Sequence, residues 1–299
     1  MFIIGAGISG LLAARMLRHK EPVILEKQAS LPNNHSAVLR FRSDVVANVT
    51  GIEFKKVQVI KGSLAWRNPI ADALSYAEKN TGKMRSDRSL PTSVSTVERY
   101  IAPPDFIAQL ADGLEANGSI EFNADVIDRF DFCKANISTI PMPDLMHILN
   151  YPDIPEFHIV SGTNMVAKVS RCDAYVSLYV PSPFYHFSRI SLTGDDLIVE
   201  FPHEETNHEM IYAAAGLVGI ARDRLSDIEV KPQKYAKIQP IDERVRKTFI
   251  AWASDKHNVY SLGRYACWRP SLLLDDLVQD IRLIEKWINN GEYAMRRQR

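Results

Sequence analysis

The sequence predicts an α/β protein with two lobes, one built on a parallel sheet and the other on an antiparallel sheet. An apolar segment at residues 2–4 enters a glycine-rich turn, and a helical pattern follows at once. Short β-rich segments separated by turns cover residues 157–201. Alternating strands and helices are typical of parallel sheets, whereas consecutive short strands are typical of antiparallel ones. A strand and a long helix near the C-terminus are predicted to return to the first lobe.

The first strand ends in a Gly-x-Gly-x-x-Gly turn made by Gly5, Gly7 and Gly10. Gly5 permits a tight turn, Gly7 lets the backbone approach a pyrophosphate, and Gly10 lets the next helix pack closely on the strand. The start of that helix offers N–H groups and partial positive charge to phosphates. A second apolar strand, residues 22–25, ends at Glu26, where a carboxylate can bind ribose hydroxyls. This order of elements predicts a Rossmann-like lobe that binds a dinucleotide.

The composition is ordinary for a soluble globular protein, with 299 residues of which 46% are hydrophobic and 24% charged. The formal net charge is zero, which gives no electrostatic support for binding DNA or an anionic membrane. We expect no membrane span, and no leader peptide because the first strand begins at residue 2. Cys133, Cys172 and Cys267 are far apart, so we expect a cytoplasmic protein without a redox-active disulfide.

The order of the elements divides the chain into five predicted segments. Residues 1–60, 99–152 and 236–299 are assigned to the dinucleotide-binding lobe, 153–235 to an antiparallel substrate lobe, and 61–98 to an insertion or a part of the substrate lobe. Within the insertion, residues 62–95 are most simply a surface loop, with a helix at 70–79. The other predicted elements are strands at 37–42, 54–60 and 259–264, helices at 106–114, 144–149 and 209–218, a hairpin turn at Gly194, and a C-terminal helix capped by Ser271.

These segments resemble the FAD-binding oxidoreductases of the glutathione-reductase-like superfold, and most closely the amine-oxidase and UDP-galactopyranose-mutase branch. The N-terminal turn matches the Gly-x-Gly-x-x-Gly-x-x-x-Ala pattern of that family. Residues 137–143 are similar to its strand under the flavin, 183–192 to a strand of its substrate domain, and 263–276 to its C-terminal Gly-Arg segment and helix. The chain departs from the family in the loop after Glu26, where Asn34 and its neighbours replace Gly-Gly-Arg.

The resemblance implies FAD as the cofactor. The residues then expected to bind FAD are Gly5, Gly7, Ile8, Ser9, Gly10, Glu26, Lys27, Asn34, Val126, Pro141, Gly263, Arg264 and Arg269. The chain is also similar overall, without a diagnostic motif, to small FAD-dependent proteins of tailed bacteriophages, which would place it in the host cytoplasm. Some of those are lyases that act on amino acids attached to thymidine in DNA.

The candidate catalytic residues are Arg264, Trp268, Tyr185 and Arg189. A guanidinium can hold a pyrophosphate or a substrate anion in a bidentate fork, and aromatic rings can wall a pocket. The alternatives are surface ion pairs for Arg264 and Arg269 and core packing for Trp268. Two histidines near residues 204 and 205 lack the spacing of metal ligands, so no metal is expected.

Three functions stay open at this point. The first is FAD-dependent oxidation of a C–N bond in an amine or amino-acid group, on a small molecule or on a modified nucleobase, with a lyase as one variant. The second is a redox-neutral, mutase-like use of reduced flavin. The third is a protein that binds a dinucleotide without catalysis. No oligomeric state is predicted.

Overall fold

The computed structural model describes residues 1–31, 39–85, 89–124, 134–202 and 206–290. The strands in chain order are β1 (Phe2–Ile4), β2 (Val23–Leu25), β3 (Arg40–Phe41), β4 (Lys55–Ser63), β5 (Ser95–Ile101), β6 (Ile120–Glu121), β7 (Asn136–Ser138), β8 (Ile159–Val169), β9 (Ala174–Tyr179), β10 (Arg189–Gly194), β11 (Asp196–Phe201), β12 (Leu225–Ile238) and β13 (Val259–Ser261). The α-helices are α1 (Ile8–Met16), α2 (Val45–Thr50), α3 (Pro69–Thr81), α4 (Phe106–Ala111), α5 (Met142–Ile148), α6 (His208–Leu217), α7 (Glu243–His257) and α8 (Leu274–Asn289).

Five short strands form a parallel sheet in the order β13-β7-β1-β2-β6. At its centre, Ile3 of β1 is paired with Ile24 of β2 on one side and with Ile137 of β7 on the other. All three side chains are fully buried, which explains why the central residue of each of these strands is apolar. β13, late in the sequence, pairs in parallel with β7. The prediction of a Rossmann-like lobe that combines N-terminal and C-terminal elements is confirmed.

Helices cover this sheet and share one apolar core with it. The core includes Leu11 of α1, Phe106 of α4 and Leu277 of α8. The apolar stripe of α8 is buried as predicted, through Leu277, Val278, Ile281 and Ile284. The predicted cap is wrong: α8 begins after Leu273, whose N–H donates to the Asp276 carboxylate at 2.9 Å.

Eight strands form the second, mixed sheet in the order β12-β8-β11-β10-β9-β4-β5-β3. The run β12-β8-β11-β10-β9 is antiparallel, and the hairpin predicted at Gly194 joins β10 to β11. β4 joins this run by pairing in parallel with β9 and antiparallel with β5. The predicted antiparallel sheet is therefore present and is extended by strands from the first third of the chain.

The structure corrects the sequence interpretation at two places. The helix predicted at 70–79 is confirmed as α3, but the described residues on either side of it are not all surface loop, because β4 continues to Ser63 and β5 begins at Ser95. Residues 1–60 were assigned to the dinucleotide-binding lobe, but β3 and β4 within them belong to the mixed sheet and not to the parallel sheet. Between β12 and β13 lies α7, for which the sequence analysis gives no helix.

The two faces of the mixed sheet differ in chemistry. One face carries Ile190, Leu192 and Val199, which pack against Ile211 and Ala214 of α6. Directly paired residues of neighbouring strands, and residues two apart on one strand, point to the same face. The pairs Arg40–Ile101, Lys61–Ser95, Lys61–Ser177, Ser177–Ser191 and Arg189–Glu200 therefore place Arg40, Lys61, Arg99, Arg189 and Glu200 on the opposite face. We call this the polar face.

None of the helices in the described ranges combines the length and the apolar composition that crossing a membrane requires.

Candidate dinucleotide site and the polar face

In the glycine turn after β1, two of the three glycines leave no room for a side chain. Gly5 has φ +96°, and a Cβ built there would lie 2.3 Å from the Thr139 Oγ1. A Cβ on Gly10 would lie 1.9 Å from the Gly5 carbonyl oxygen. Both positions therefore require glycine for the fold itself.

Gly7 is different, because nothing in the structure requires glycine there. Its φ is −69°, which any residue adopts, and a Cβ would meet no atom of the described residues within 4 Å. Gly7 is also the N-cap of α1, which has no side-chain cap and no acidic residue in its first turn. The N-terminus of α1 is thus an uncapped, positively polarised helix end beside open space, which suits a phosphate group.

Glu26 lies at the end of β2, as predicted, and it supports the glycine turn. Its Oε2 accepts a hydrogen bond from the Ala6 N–H at 2.6 Å, and its Oε1 accepts one from the Gln28 N–H at 2.8 Å. A carboxylate has about four acceptor positions, so capacity remains for ribose hydroxyls. Lys27 is exposed beside it.

The C-terminal return brings Gly263 against the start of α1. Gly263 has φ +98°, and a Cβ there would lie 2.8 Å from the Ser9 Oγ and 3.2 Å from the Ser9 Cβ. Ser9 and Gly263, which are 254 positions apart in the sequence, are therefore neighbours in the fold. The adjacent Arg264 is half-buried at the carboxyl end of β13, the edge at which open α/β sheets bind ligands.

Arg269 forms an ion pair and Trp268 lies in the core, and these are the alternatives to their predicted roles at the site. Arg269 Nη1 lies 3.3 Å from the Asp280 Oδ2, an ion pair with α8. Trp268 is 1% exposed, its ring packs edge-on against Phe157, and its Nε1 donates to the Gln239 carbonyl oxygen at 2.8 Å. Trp268 is a core residue in this arrangement, so the structure gives no support to its predicted role in a pocket wall.

Tyr185 and Arg189, which were predicted to act together, lie on different sides of the mixed sheet. Tyr185 packs against Phe187 and belongs to the apolar side that faces α6. Arg189 lies on the polar face, where its guanidinium donates two hydrogen bonds to the Glu200 carboxylate. A turn precedes β10, so the regular alternation of side chains along a strand does not extend from residue 189 back to residue 185. The two side chains therefore lie on different sides of the sheet.

Glu200 is the centre of a partly buried ion cluster. The Lys237 ammonium lies 3.3 Å from its Oε2, opposite the Arg189 contact. Burial by itself raises the pKa of Glu200, but the charges of Arg189 and Lys237 outweigh burial and lower that pKa to about 2. Burial likewise disfavours the charged form of Arg189, and the Glu200 charge reverses this, so the pKa of Arg189 is raised. Both groups are ionised at neutral pH.

Two hydrogen bonds connect the polar face to the carboxyl end of β13. The Tyr265 hydroxyl donates to the Tyr235 carbonyl oxygen at 2.7 Å, and the Trp268 indole donates to the Gln239 carbonyl oxygen. The two acceptors are on either side of Lys237. The segment after Gly263 is therefore bound to the part of the mixed sheet that carries the Glu200 cluster.

The remaining predicted residues divide into placed and undescribed ones. Pro141 precedes α5 directly, at the end of the segment that follows β7. Asn34, Val126, Cys133 and residues 203–205 lie outside the described residues. In the part of the chain that the structure describes, no cluster of three or more His, Cys, Asp or Glu side chains is suited to a metal ion.

Several charged residues of the polar face were missed by the sequence analysis. They are Arg40, Lys61, Arg99, Glu200 and Lys237. The alternation of β4 and β10 is visible in the sequence, but the pairing that brings these side chains together spans up to 153 residues, as in the Arg40 contact with Thr193.

Structural comparison gives a consistent result over nearly the whole chain. Reduced UDP-galactopyranose mutase is 14% identical, with a TM-score of 0.65, and the match covers 97% of this chain and 93% of that one. A geranylgeranyl bacteriochlorophyll reductase-like protein from Thermoplasma acidophilum is 10% identical (TM-score 0.57; 99% and 80% covered). Aklavinone-11 hydroxylase in complex with FAD and aklavinone is 12% identical (TM-score 0.51; 97% and 62% covered).

No protein-family model matches the chain, and no curated protein matches its sequence. The structural matches nonetheless define the fold: the chain has the parallel sheet and the curled mixed sheet of FAD-binding flavoenzymes. The glycine turn and the contact between Ser9 and Gly263 are the features of that fold that form its candidate dinucleotide site.

Proposed function

We propose that the chain is an FAD-dependent enzyme. The observation that carries this proposal is the open space at Gly7, beside an uncapped helix end, in a fold shared with flavoenzymes. Gly5, Gly10 and Gly263 are required by packing or backbone geometry, but Gly7 is not, so a ligand is the simplest reason for glycine there. Glu26 fits the adjacent ribose, because it has acceptor capacity beyond its two backbone contacts.

The reaction that we propose is the two-electron oxidation of a C–N bond in an amine or amino-acid group. When bound, FAD supplies the acceptor for the hydride that leaves the substrate carbon, while the amine nitrogen loses a proton and becomes an imine that water hydrolyses. The chain itself binds and orients. α1 holds the pyrophosphate through its N-terminal N–H groups, Arg264 holds the cofactor or the substrate at the end of β13, and the polar face closes the site opposite.

A redox-neutral, mutase-like reaction is the second candidate. The observation in its favour is the match to reduced UDP-galactopyranose mutase, which covers 93% of that enzyme. A substrate that is isomerised leaves no net reduction of the cofactor, whereas an amine that is oxidised does. Anaerobic mixing of the purified protein with substrates therefore separates the two candidates, and a protein that no substrate reduces or turns over would be a binding protein only.

Action on an amino-acid-modified thymidine in phage DNA is a narrower form of the first proposal. It rests only on the resemblance given in the sequence analysis, which no sequence match supports, and the net charge of zero does not favour DNA. Binding of the protein to modified and unmodified duplexes at several salt concentrations tests it, since a DNA-binding protein loses affinity steeply as salt rises.

The first experiment is to purify the protein, record its visible spectrum and identify the released cofactor by mass. We expect a yellow protein with non-covalent FAD. A panel of amines and amino acids is then added without oxygen, and bleaching of the flavin absorbance reports hydride transfer. A colourless protein that binds NAD and cannot be reconstituted with FAD would overturn the proposal.

A further inference from the structure

The polar face collects more positive than negative charge at the middle of the mixed sheet. Lys61 is paired with Ser95 on one side and with Ser177 on the other, and Arg99 lies four residues after Ser95. Arg40 reaches the same area from the edge strand β3 and donates to the Val176 carbonyl oxygen at 3.0 Å and the Thr193 Oγ1 at 2.8 Å. Three strands that are separate in the sequence thus direct cations to one face.

Within the described ranges, Glu200 is the one carboxylate whose charge acts on Arg40, and it is already engaged. Glu200 accepts from Arg189 and lies against Lys237, as described above. Arg40 donates to two backbone carbonyls and a hydroxyl, and Arg99 donates to the Glu98 carbonyl oxygen. Among the described residues, neither arginine nor Lys61 has a carboxylate within 4.0 Å.

The cations act on one another through the interior. Burial, with the charges of Arg189 and Arg99, lowers the pKa of Arg40 to about 10. Burial and the charges of Arg99, Arg40 and Arg189 lower the pKa of Lys61 as well. Like charges that are held together in a partly buried site cost free energy unless an anion joins them. This mutual repulsion is relieved by a bound anion.

Neutral donors complete the surroundings of this cluster. Ser63 follows Lys61 on the same face, and its Oγ is buried with no hydrogen-bond partner in the described part of the chain. Ser177, which is paired with Lys61, and Ser191, which is paired with Ser177, are 5% and 2% exposed. A buried hydroxyl without a partner costs free energy, and the oxygen atoms of an anion can accept from it.

The hairpin end of the polar face borders a cavity of about 710 Å³. Thr193, to which Arg40 donates, lines this cavity, whereas Lys61 and Arg99 do not. The charged residues of its lining are Glu53, Asp195, Asp196, Asp227, Glu229, Lys55, Lys168 and Lys231. At the other end, Tyr76 of α3 packs edge-on against Tyr179 and covers the Arg189 end. The cavity thus reaches the Arg40 edge of the cluster through Thr193, while Tyr76 covers the opposite end.

We infer that Lys61, Arg99 and Arg40 on the polar face bind the anionic group of the substrate, a carboxylate or a phosphate. That the bound molecule is a substrate rests on the proposed function; that an anion binds rests on the polar face alone. Among amines, the site selects amino acids or phosphorylated amines over uncharged ones. Arg40 also donates hydrogen bonds to the Val176 and Leu192 carbonyl oxygens, so replacing it would disturb the sheet itself. Lys61 and Arg99 are therefore the residues to test.

The experiment is isothermal titration calorimetry of the purified protein, with its cofactor bound, against succinate and against inorganic pyrophosphate at constant ionic strength. The test protein is the double variant Lys61→Gln/Arg99→Gln. The matched control is Lys56→Gln, because Lys56 is on the same strand but on the opposite face, where it pairs with Glu98 at 2.8 Å. The titrant that binds with the higher affinity identifies the anionic group: succinate indicates a carboxylate and pyrophosphate a phosphate.

We expect the double variant to weaken anion binding at least about tenfold, because two charge-assisted contacts are lost, and the control to leave it unchanged. Equal affinity in the double variant and the wild-type protein overturns the inference, as does the absence of any binding to the wild-type protein. Binding that survives in the double variant but disappears in Gly7→Val places the anion at the glycine turn and also overturns it. Failure of the proposed function has a different signature: a colourless protein whose anion binding still depends on Lys61 and Arg99.

Discussion

Gly263 at the end of β13 lies directly against Ser9 in the first turn of α1, so close that a Cβ on the glycine would be 2.8 Å from the serine Oγ. This contact joins the last strand of the parallel sheet to the helix that begins the fold. Because Gly263 also has φ +98°, its backbone conformation and its contact both exclude a side chain. The site at the N-terminus of α1 is thus completed by a residue from the far end of the sequence.

The first prediction concerns this contact. We expect Gly263→Ala to lower the free energy of unfolding by on the order of 1–3 kcal/mol, since strain and crowding combine. Gly82→Ala is the matched control: Gly82 has φ +71° but open space at its Cβ position, so only backbone strain acts there. Urea unfolding measures both. In the double variant Ser9→Gly/Gly263→Ala part of the loss should be recovered, and a loss equal to that of Gly82→Ala would contradict the crowding that the structure shows.

The second prediction separates the glycines of the turn. We expect Gly7→Val to remain folded and to lose FAD, because the added side chain meets no protein atom and fills the space assigned to the pyrophosphate. Gly10→Val should not fold, since its Cβ would overlap the Gly5 carbonyl oxygen at 1.9 Å. Circular dichroism reports the fold and the absorbance of released flavin reports the cofactor. A soluble Gly7→Val protein with normal FAD content would show that the cofactor binds elsewhere.

The third prediction is a pH dependence. The pKa of Glu200 is lowered from 4.5 to about 2 in the folded protein. The unfolded chain therefore binds a proton first as the pH falls, and the stability that this carboxylate contributes is present above about pH 4.5 and is lost between pH 4.5 and 2. We expect Glu200→Gln to destabilise the protein by about 1.5–3 kcal/mol at neutral pH, because Arg189 and Lys237 remain partly buried without their anion.

The control for this prediction is Glu243→Gln. The pKa of Glu243 is also lowered to about 2, by its hydrogen bond and ion pair with Arg246, but this carboxylate is exposed. Solvent screens such a pair, so we expect little change in stability. The difference in stability between wild type and Glu200→Gln should shrink below pH 4.5. If that difference is constant from pH 7 to 3, the Glu200 cluster does not titrate as the structure implies.

The sequence predicts the parts of this site whose residues are close together in the chain, and misses the parts that the fold brings together from distant segments. The turn of Gly5, Gly7 and Gly10 is predictable because its strand, turn and helix are consecutive. The core position of Trp268 is not predictable from the sequence, because it depends on contacts with Phe157 and Gln239, which come from other segments. The polar face is the extreme case: the alternation of β4 is readable, but nothing local shows that β5 and β9 pair with it or that Arg40 comes from the sheet edge.

The same limit explains the errors in the fold. α7 was missed because its face is mostly polar, with only Phe249 and Ala253 buried, so no apolar stripe marks it. β5 (Ser95–Ile101) was missed because it is exposed over much of its length, and such a strand resembles a loop in sequence. In both cases the element is stabilised by its neighbours more than by its own pattern.

The last prediction concerns Arg264. It follows Gly263 at the carboxyl end of β13, is half-buried, and lies next to the contact with Ser9, so its guanidinium is positioned to hold the cofactor or the substrate. Removing a charge-assisted contact of this kind costs about 1.5–3 kcal/mol. We therefore expect Arg264→Ala to weaken FAD retention or to slow flavin reduction at least tenfold, measured by FAD titration and rapid mixing. Arg282→Ala, an exposed arginine on α8, should do neither. If the two variants behave alike, Arg264 serves the surface or the fold, and the proposed binding role of the C-terminal segment is wrong.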